Sequence, residues 1–268
     1  MEKQTTIENK SKITEKYRFN KELHLHEIYS EEKEKYVSLT GCTTVLSILA
    51  KPALVQWAAN QAVEFIGANI AELISGTKER QDELLLEARK AHTKRKKEAG
   101  DYGTQLHETI SKLIGLSIKK HKGFIPEPII DFSSLGIGVD KSVKNFIDWS
   151  VKNKVKFLET EKNIYSEKLF LGGIIDFICE IEGKVWLGDI KTAKSGIYPE
   201  NFAQIAGYQI MLNEMKLYPD ITGYVVLNLK ENGEINEKRS ISNSNNTKFF
   251  LSCLEIYRQQ ERLKNQTL

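Results

Sequence analysis

The sequence predicts an α/β (α+β) fold, with a mixed central β-sheet flanked by helices and a helical N-terminal region before it. Helical periodicity dominates between residues 43 and 116. Apolar segments with strand character follow at 156–165, 170–181 and 184–191. A predicted helix at 201–215 and a predicted strand at 223–229 then complete the core.

Proline and glycine divide the helical region. Pro52 suits the first turn of a helix, because its missing N–H costs no hydrogen bond there. Gly100 and Gly103 predict a boundary between a charged helix at 78–99 and the helix that follows. The segment 119–138 contains glycines, two prolines and little periodicity, so it is predicted to be a loop or lid.

The domain organisation follows from these patterns. Residues 1–22 are polar and charged, and we expect a flexible tail there. Residues 23–268 are expected to form a single domain. Within it, 23–152 is the mainly helical part and 153–268 is the α/β core.

Composition excludes several classes of protein. With 40% hydrophobic and 28% charged residues, the 268-residue chain has the composition of an ordinary soluble globular protein. The net charge of +3 permits nucleic-acid binding without requiring it. No segment approaches the 18 or so apolar residues of a membrane span, and the polar N-terminus is unlike a secretory signal. We therefore expect a cytoplasmic protein that does not bind membranes.

The three cysteines, Cys42, Cys179 and Cys253, are odd in number and far apart in the sequence. They form neither a disulfide framework nor a Cys-x-x-Cys metal motif. Ligation of an iron–sulfur cluster by four cysteines of one chain is impossible. Buried, reduced thiols are the expectation.

The most informative segment is LGGIIDFICEIEGKVWLGDIKT, residues 171–192. Glu182 and Gly183 are predicted to form a two-residue hairpin turn, in which glycine readily adopts the positive φ that such turns need. In that register the numbers of facing residues sum to 365, which sets Asp176 opposite Asp189. Lys191 lies two residues beyond Asp189, so it projects from the same face of the strand.

Two facing carboxylates repel each other and destabilise a hairpin, unless a cation lies between them. Asp176 and Asp189 are suitable ligands for Mg²⁺, which prefers carboxylates, waters and phosphate oxygens. Lys191 could orient or deprotonate an attacking water, or stabilise charge at a scissile phosphate. The alternative is a surface ion pair between Asp189 and Lys191. The apolar residues around them disfavour it, because buried carboxylates require partners.

Three motifs in this chain match one family. The order Gly-Gly-Ile-Ile-Asp, a short hairpin, and Gly-Asp-Ile-Lys-Thr resembles the PD-(D/E)XK nuclease superfamily, in particular its RecB-type and phage-type exonuclease branch. Gln204 and Tyr208 in AQIAGYQ are similar to the Q-x-x-x-Y motif of that branch. Gly103 and His107 in GDYGTQLHETI are similar to its G-x-x-x-H helix. The resemblance covers about residues 39–229.

The resemblance implies a restriction-endonuclease-like core and a role for each matching residue. It implies that Mg²⁺ or Mn²⁺ is bound by Asp176, Asp189, the backbone carbonyl of Ile190 and the imidazole of His107. Lys191 would be the catalytic lysine. Further residues implied in the site are Gln204 and Tyr208, which would line it and hold the DNA, and Glu161, an acid before the hairpin. Ile175 departs from the family pattern, since it stands where the name-giving proline would be.

The function implied is a Mg²⁺- or Mn²⁺-dependent deoxyribonuclease without an iron–sulfur cluster. An exonuclease or DNA-end-processing enzyme is favoured over a sequence-specific endonuclease, because no separate recognition domain is evident. DNA is the expected partner, and the branch suggests a role in DNA repair or recombination, or with phage or mobile-element proteins. One alternative is a non-catalytic DNA-binding or assembly protein that retains the fold. Another is a hydrolase that acts on RNA or nucleotides.

Each site residue also has an ordinary structural interpretation. His107 shares a helix face with apolar residues and could be a hydrogen-bonded core histidine. Gln204 and Tyr208 could be core and rim residues, and Glu161 could be a solvated strand residue. Two further groups are interpreted as structural or solvated, namely the pair His24 and His26 and the basic run 94–97.

Overall fold

The computed structural model describes residues 16–20, 22–126, 139–242 and 244–266. Its strands are β1 (Tyr17–Asn20), β2 (Leu25–Ser30), β3 (Lys35–Gly41), β4 (Lys156–Ser166), β5 (Leu171–Ile181), β6 (Lys184–Lys191), β7 (Ile221–Leu229) and β8 (Ile235–Ile241). Its helices are α1 (Cys42–Val45), α2 (Pro52–Ala68), α3 (Ile70–Ser75), α4 (Lys78–Lys120), α5 (Val139–Lys152), α6 (Pro199–Glu214) and α7 (Ser244–Gln266), with a 3-10 turn at Leu46–Ile48.

These described residues divide into two units. One unit is Leu49–Leu106, which comprises α2, α3 and the first section of α4. The other contains all eight strands and is formed by the described residues up to Ile48 and from His107 onward. The sequence did not indicate this division.

The larger unit is built on a mixed eight-stranded sheet flanked by helices, which confirms the predicted α/β class. Strands β4, β5 and β6 form an antiparallel meander, and β6 pairs with β7 in parallel. Helix α6 connects β6 to β7, because parallel neighbours require a long crossover. On the far side of β7, β8 forms an antiparallel edge strand.

The hairpin between β5 and β6 forms as predicted. Glu182 and Gly183 have φ values of +53° and +72°, which are typical of a two-residue turn whose twist matches the flanking strands. The pairs run from Ile181–Lys184 to Phe177–Gly188, so the register sum of 365 is confirmed over that stretch.

The core of this unit lies between the sheet and its helices. Helix α5 buries Val143, Phe146 and Ile147, whose spacing places them on one side of the helix. The ring centroids of Phe146 and Phe157 in β4 lie 5.7 Å apart. Those of Phe157 and Phe177 in β5 lie 5.6 Å apart. These aromatic contacts attach α5 to the central strands.

Three features differ from the sequence-based expectations. Within the predicted tail 1–22, Tyr17–Asn20 forms β1 and pairs with β2. No boundary occurs at Gly100 and Gly103, since α4 continues through both. A glycine costs a helix only about 1 kcal/mol relative to alanine, so the favourable residues on either side prevail. Strand β8 was not predicted, because the sequence INEKRSI is largely polar and resembles a loop.

Residues 127–138, within the predicted loop or lid, lie outside the described residues. Among the described helices, none is by itself long and apolar enough to cross a membrane. The consecutive segments Cys42–Ile48 and Pro52–Ala68 meet that criterion of length and composition only when taken together.

Candidate functional site

The candidate site lies where β5 and β6 separate. Since β4 pairs with one edge of β5 along most of its length, β6 and β3 must share the other edge. On that edge β6 pairs as far as Phe177, and β3 pairs only with Leu171 and Gly172. The stretch 173–176 therefore has no strand partner on this edge among the described residues. Asp176 is the first residue beyond the end of the β5–β6 ladder.

The Asp176 carboxylate occupies the position that the ladder leaves open. Its Oδ2 accepts a hydrogen bond of 2.6 Å from the Ile190 backbone N–H, which would otherwise have paired with β5. Its Oδ1 lies 3.3 Å from Nδ1 of His107 in α4. From the neighbouring strand β4, the Thr160 hydroxyl donates a 2.9 Å hydrogen bond to the Asp176 backbone carbonyl. Asp176 does not pair directly with Asp189 as predicted, because the two strands separate immediately after the Phe177–Gly188 pair.

On β6, the buried Asp189 forms an ion pair with the partly exposed Lys191. The Lys191 Nζ lies 3.0 Å from Oδ1 and 2.8 Å from Oδ2 of Asp189, and it donates a 3.1 Å bond to Oε1 of Gln204. The Asp189 side chain is only 4% exposed. Its Oδ2 accepts no hydrogen bond of acceptable geometry from any described residue, although Lys191 is close.

Helix α6 supplies two residues to this network. Gln204 and Tyr208 are one turn apart on the same helix face. Gln204 Nε2 donates to the Tyr208 hydroxyl at 2.7 Å and to Asp189 Oδ1 at 3.3 Å. The Tyr208 ring packs on β5 because Gly173 lacks a side chain. A Cβ at that position would lie 2.8 Å from the ring.

The environments of the two aspartates shift their pKa values in opposite directions. Burial disfavours ionisation of Asp176, but His107, Lys191 and the Ile190 N–H outweigh burial and hold the pKa of Asp176 below its usual value. Burial is also the largest influence on Asp189. Together with the neighbouring Asp176, it raises the pKa of Asp189 to about 6, in spite of Lys191. Two acids with separated pKa values are typical of functional sites.

The pKa values of both bases of the site are raised. Burial lowers the pKa of His107, but the Asp176 carboxylate more than compensates, so the pKa of His107 lies above its usual value. Burial likewise opposes protonation of Lys191, and Asp189 with Asp176 reverses that effect, so the pKa of Lys191 is raised. Lys191 is thus an ammonium group at neutral pH.

The donor set fits a hard divalent cation only incompletely. Asp176 and Asp189 offer carboxylate oxygens, and in the described part of the chain no donor makes a well-aligned hydrogen bond to the Asp189 Oδ2. The N–H and C=O of one strand residue point to the same neighbour, so the Ile190 carbonyl faces the same open edge as its N–H. Among the described residues, no three His, Cys, Asp or Glu side chains are placed to hold one ion. A cation would therefore rest on two carboxylates, with oxygens from water and substrate, as is usual for Mg²⁺.

Glu161 lies on β4 and is exposed. The pairs on either side of it, Thr160–Phe177 and Lys162–Ile175, give Glu161 the register position of Asp176. Its φ of +49° interrupts the extended backbone at that point. Such a conformation is uncommon for a residue other than glycine and recurs at functional sites.

The pair His24 and His26 has another environment. Nδ1 of His26 lies 2.6 Å from the Tyr17 hydroxyl, and its ring packs against Phe19 at 5.0 Å between ring centroids. Burial, with His24 nearby, lowers the pKa of His26 to about 4. His26 is thus held neutral between two aromatic residues.

Sequence reasoning missed one polar residue beside the lysine. Asn228 is completely buried in β7 and is the register partner of Lys191. Its Nδ2 donates a 2.8 Å bond to the Ala193 carbonyl, which anchors the segment that follows Lys191. The available signal was a lone amide within the apolar strand ITGYVVLNL.

Comparison with known proteins gives little similarity. No known protein family matches the chain, and no curated protein matches it. A solved structure similar to this chain is the crystal structure of SSO0001, at 12% sequence identity and a TM-score of 0.30. The match covers 59% of this chain and 84% of SSO0001. A similarity this weak indicates nothing about activity.

Proposed function

We propose that this protein is a divalent-metal-dependent deoxyribonuclease, with Asp176, Asp189 and Lys191 at its active site. The main support is the convergence of two carboxylates and a lysine at the point where β5 and β6, two otherwise largely apolar strands, separate. Buried charges are costly unless they are paired or bind a ligand. The mixed sheet flanked by helices agrees with the resemblance to PD-(D/E)XK nucleases, on which the preference for an exonuclease depends.

The ion would be held by Asp176 and Asp189, with the Ile190 carbonyl and His107 as additional candidates. When bound, Mg²⁺ or Mn²⁺ supplies positive charge that stabilises the phosphate oxygens during hydrolysis. His107 Nδ1 contacts Asp176 in the arrangement described here, so it orients that carboxylate. His107 could bind an ion only through a ring nitrogen that carries no proton.

The proposal assigns Lys191 to charge stabilisation. Its raised pKa keeps it protonated, so it can donate hydrogen bonds to a phosphate oxygen but cannot remove a proton from water. Gln204 holds the lysine through a 3.1 Å bond, and Tyr208 holds Gln204 in turn. Both residues are therefore positioning residues for Lys191 and Asp189. Glu161 is a candidate to bind the ion through water.

The test is degradation of DNA by the purified protein. Linear duplex, closed circular and single-stranded DNA would be incubated with Mg²⁺, with Mn²⁺ and with EDTA. We expect cleavage that requires a metal, with loss of linear DNA before circular DNA if the enzyme acts on ends. An RNA oligomer of the same sequence would show whether DNA is the preferred substrate.

A folded protein that leaves all three DNA forms intact in both metals would contradict the proposal. If that protein still bound DNA, and Asp189→Asn left the binding unchanged, the non-catalytic alternative would replace it. Circular dichroism on the same samples establishes that the protein is folded.

A further inference from the structure

Helix α4 carries a dense basic segment that the proposed active site does not use. Residues 89–97 read RKAHTKRKK, with six Lys or Arg, one His and no acid. We define the basic face as Arg89, Lys90, Lys94, Lys96 and Lys97. All five belong to the unit Leu49–Leu106, and all five are exposed.

Helix geometry places these five cations together. At about 100° per residue, Leu84 and Ala88 define the buried side of α4. The basic face lies on the opposite side, with its members within about 80° of a common direction. Eight residues of helix rise about 12 Å, so the cations form a compact stripe.

In the first turns of α4, the cations are paired with acids. Lys78 pairs with Asp82 at 2.8 Å, and Arg80 contacts Glu72 at 2.8 Å and Glu83 at 3.0 Å. A solvated helix face normally mixes charges in this way.

In the basic segment, the described residues provide one ion pair, Arg95 with Glu98 at 3.4 Å, and Arg95 lies outside the basic face. Lys94 is one turn from both Lys90 and Lys97, and such like-charged neighbours destabilise a helix. A segment that retains this repulsion is better explained by a polyanionic ligand than by solvation.

We propose that the basic face binds the phosphate backbone of a DNA duplex. The inference rests on the proposed function in one respect: DNA is taken as the polyanion because it is the proposed substrate. Phosphates follow each strand of a duplex about every 3.4 Å of axis, so a 12 Å stripe can contact roughly three or four of them. The face has no aromatic, Asn or Gln side chain, so it binds without reading base sequence.

The test measures DNA binding without cleavage. Fluorescence anisotropy of a short labelled duplex would be recorded with the full-length protein in EDTA, over a series of KCl concentrations. The test variant is Lys90→Gln/Lys94→Gln/Lys97→Gln. The control variant, Lys33→Gln/Lys35→Gln/Lys184→Gln, loses the same charge at exposed positions elsewhere.

We expect the basic-face variant to bind at least about tenfold more weakly at moderate salt. The slope of log K against log salt should also fall in magnitude by roughly 0.9 for each phosphate that the variant no longer neutralises, hence by about 2 to 3. The control variant should keep the affinity and slope of the unmodified protein. Equal affinities and slopes for all three proteins would overturn the inference, as would a wild-type protein that does not bind DNA.

This outcome is separable from the nuclease proposal. A wild-type protein that binds through the basic face but cleaves no DNA refutes the proposed function and leaves this inference standing. If the unmodified protein cleaves DNA and the basic-face variant binds DNA normally, the proposed function stands and this inference is refuted. If the variant instead loses binding only to phosphatidylserine–phosphatidylcholine vesicles, the basic face is a membrane contact and the inference is wrong.

Discussion

The two halves of the β5–β6 ribbon differ in how their polar groups are satisfied. In the closed half, between the turn and the Phe177–Gly188 pair, backbone groups bond across the ladder and the side chains are largely apolar. In the open half, beyond that pair, the ladder ends and the Asp176 carboxylate accepts a hydrogen bond from the Ile190 N–H. Opening the ribbon thus provides both the space and the donor that a buried acid needs.

In the closed half, backbone pairing and packing hold the two strands together with no charged side chain buried between them. In the open half, those contacts are replaced by a network of charges that fixes Asp176, Asp189 and Lys191. The proposed ion site rests on this difference. Substitutions in the open half, each matched with a control residue elsewhere in the sheet, test this difference.

The largest effect is expected for Lys191, which lies at the open end of β6. Lys191→Met should lower the rate of DNA cleavage by about 10²- to 10⁴-fold, because it removes the cation that stabilises the reacting phosphate. The rate of single-turnover cleavage measures the effect. Lys184→Met, at the exposed turn end of the same strand, is the control and should retain full activity. Equal losses in both variants would show that the lysine acts only through the fold.

The next largest effect is expected on metal affinity, when an acid of the open half is compared with an acid of the closed half. Asp189→Asn should weaken Mn²⁺ binding by about 100-fold or more, because it removes a charged oxygen ligand. Calorimetric titration of the folded variant gives the dissociation constant. Glu180→Gln is the control: this acid lies in the closed half and faces Lys156 at 3.5 Å. A variant at 189 that binds Mn²⁺ as tightly as the unmodified protein would remove Asp189 from the ligand set.

Metal affinity should also depend on pH. Ion binding requires the carboxylate form of Asp189, whose pKa is raised to about 6, whereas the lowered pKa of Asp176 keeps that group ionised. Mn²⁺ affinity should therefore fall by about tenfold for each pH unit below 6 and level off above it. If His107 also binds the ion, its raised pKa extends the rise to higher pH.

Titrations at several pH values, in the unmodified protein and in His107→Gln, separate these two contributions. An affinity that does not change between pH 5 and pH 7 would contradict the protonation state assigned to Asp189.

The smallest effect is expected for a glycine that supports the open half. Gly173→Ala should cost about 1–3 kcal/mol of stability, because a Cβ would lie 2.8 Å from the Tyr208 ring. Displacing Tyr208 should also lower activity by several-fold through Gln204. Away from the open half, Gly223→Ala in β7 meets the Ser240 carbonyl at 2.5 Å, and should cost stability without lowering the activity of the folded fraction. Denaturant unfolding and cleavage assays on both variants test this difference.

Much of the closed half could be predicted from sequence. Its turn and register are local properties, set by Glu182, Gly183 and the alternation of side chains around them. Extended by one pair, that register also predicted a direct Asp176–Asp189 pair, which does not form because the ladder ends at Phe177–Gly188. The family resemblance predicted that Gln204 lines the site, and in the structure Gln204 Oε1 accepts a 3.1 Å bond from Lys191.

The opening of the ribbon could not be predicted, because it depends on strands distant in sequence. Strand β3 takes the far end of β5, and β6 continues alongside β7 as far as the Lys191–Asn228 pair. The continuity of α4 through Gly100 and the polar edge strand β8 were missed for a related reason. In both, context outweighed the local preference of the residues.

A crystal of the full chain soaked in Mn²⁺ would show whether an ion binds between Asp176 and Asp189. We predict an anomalous peak at the open end of the β5–β6 ribbon, within ligand distance of both Asp176 and Asp189. Ordered side chains at both positions with no peak between them, in crystals whose protein cleaves DNA with Mn²⁺, would contradict it.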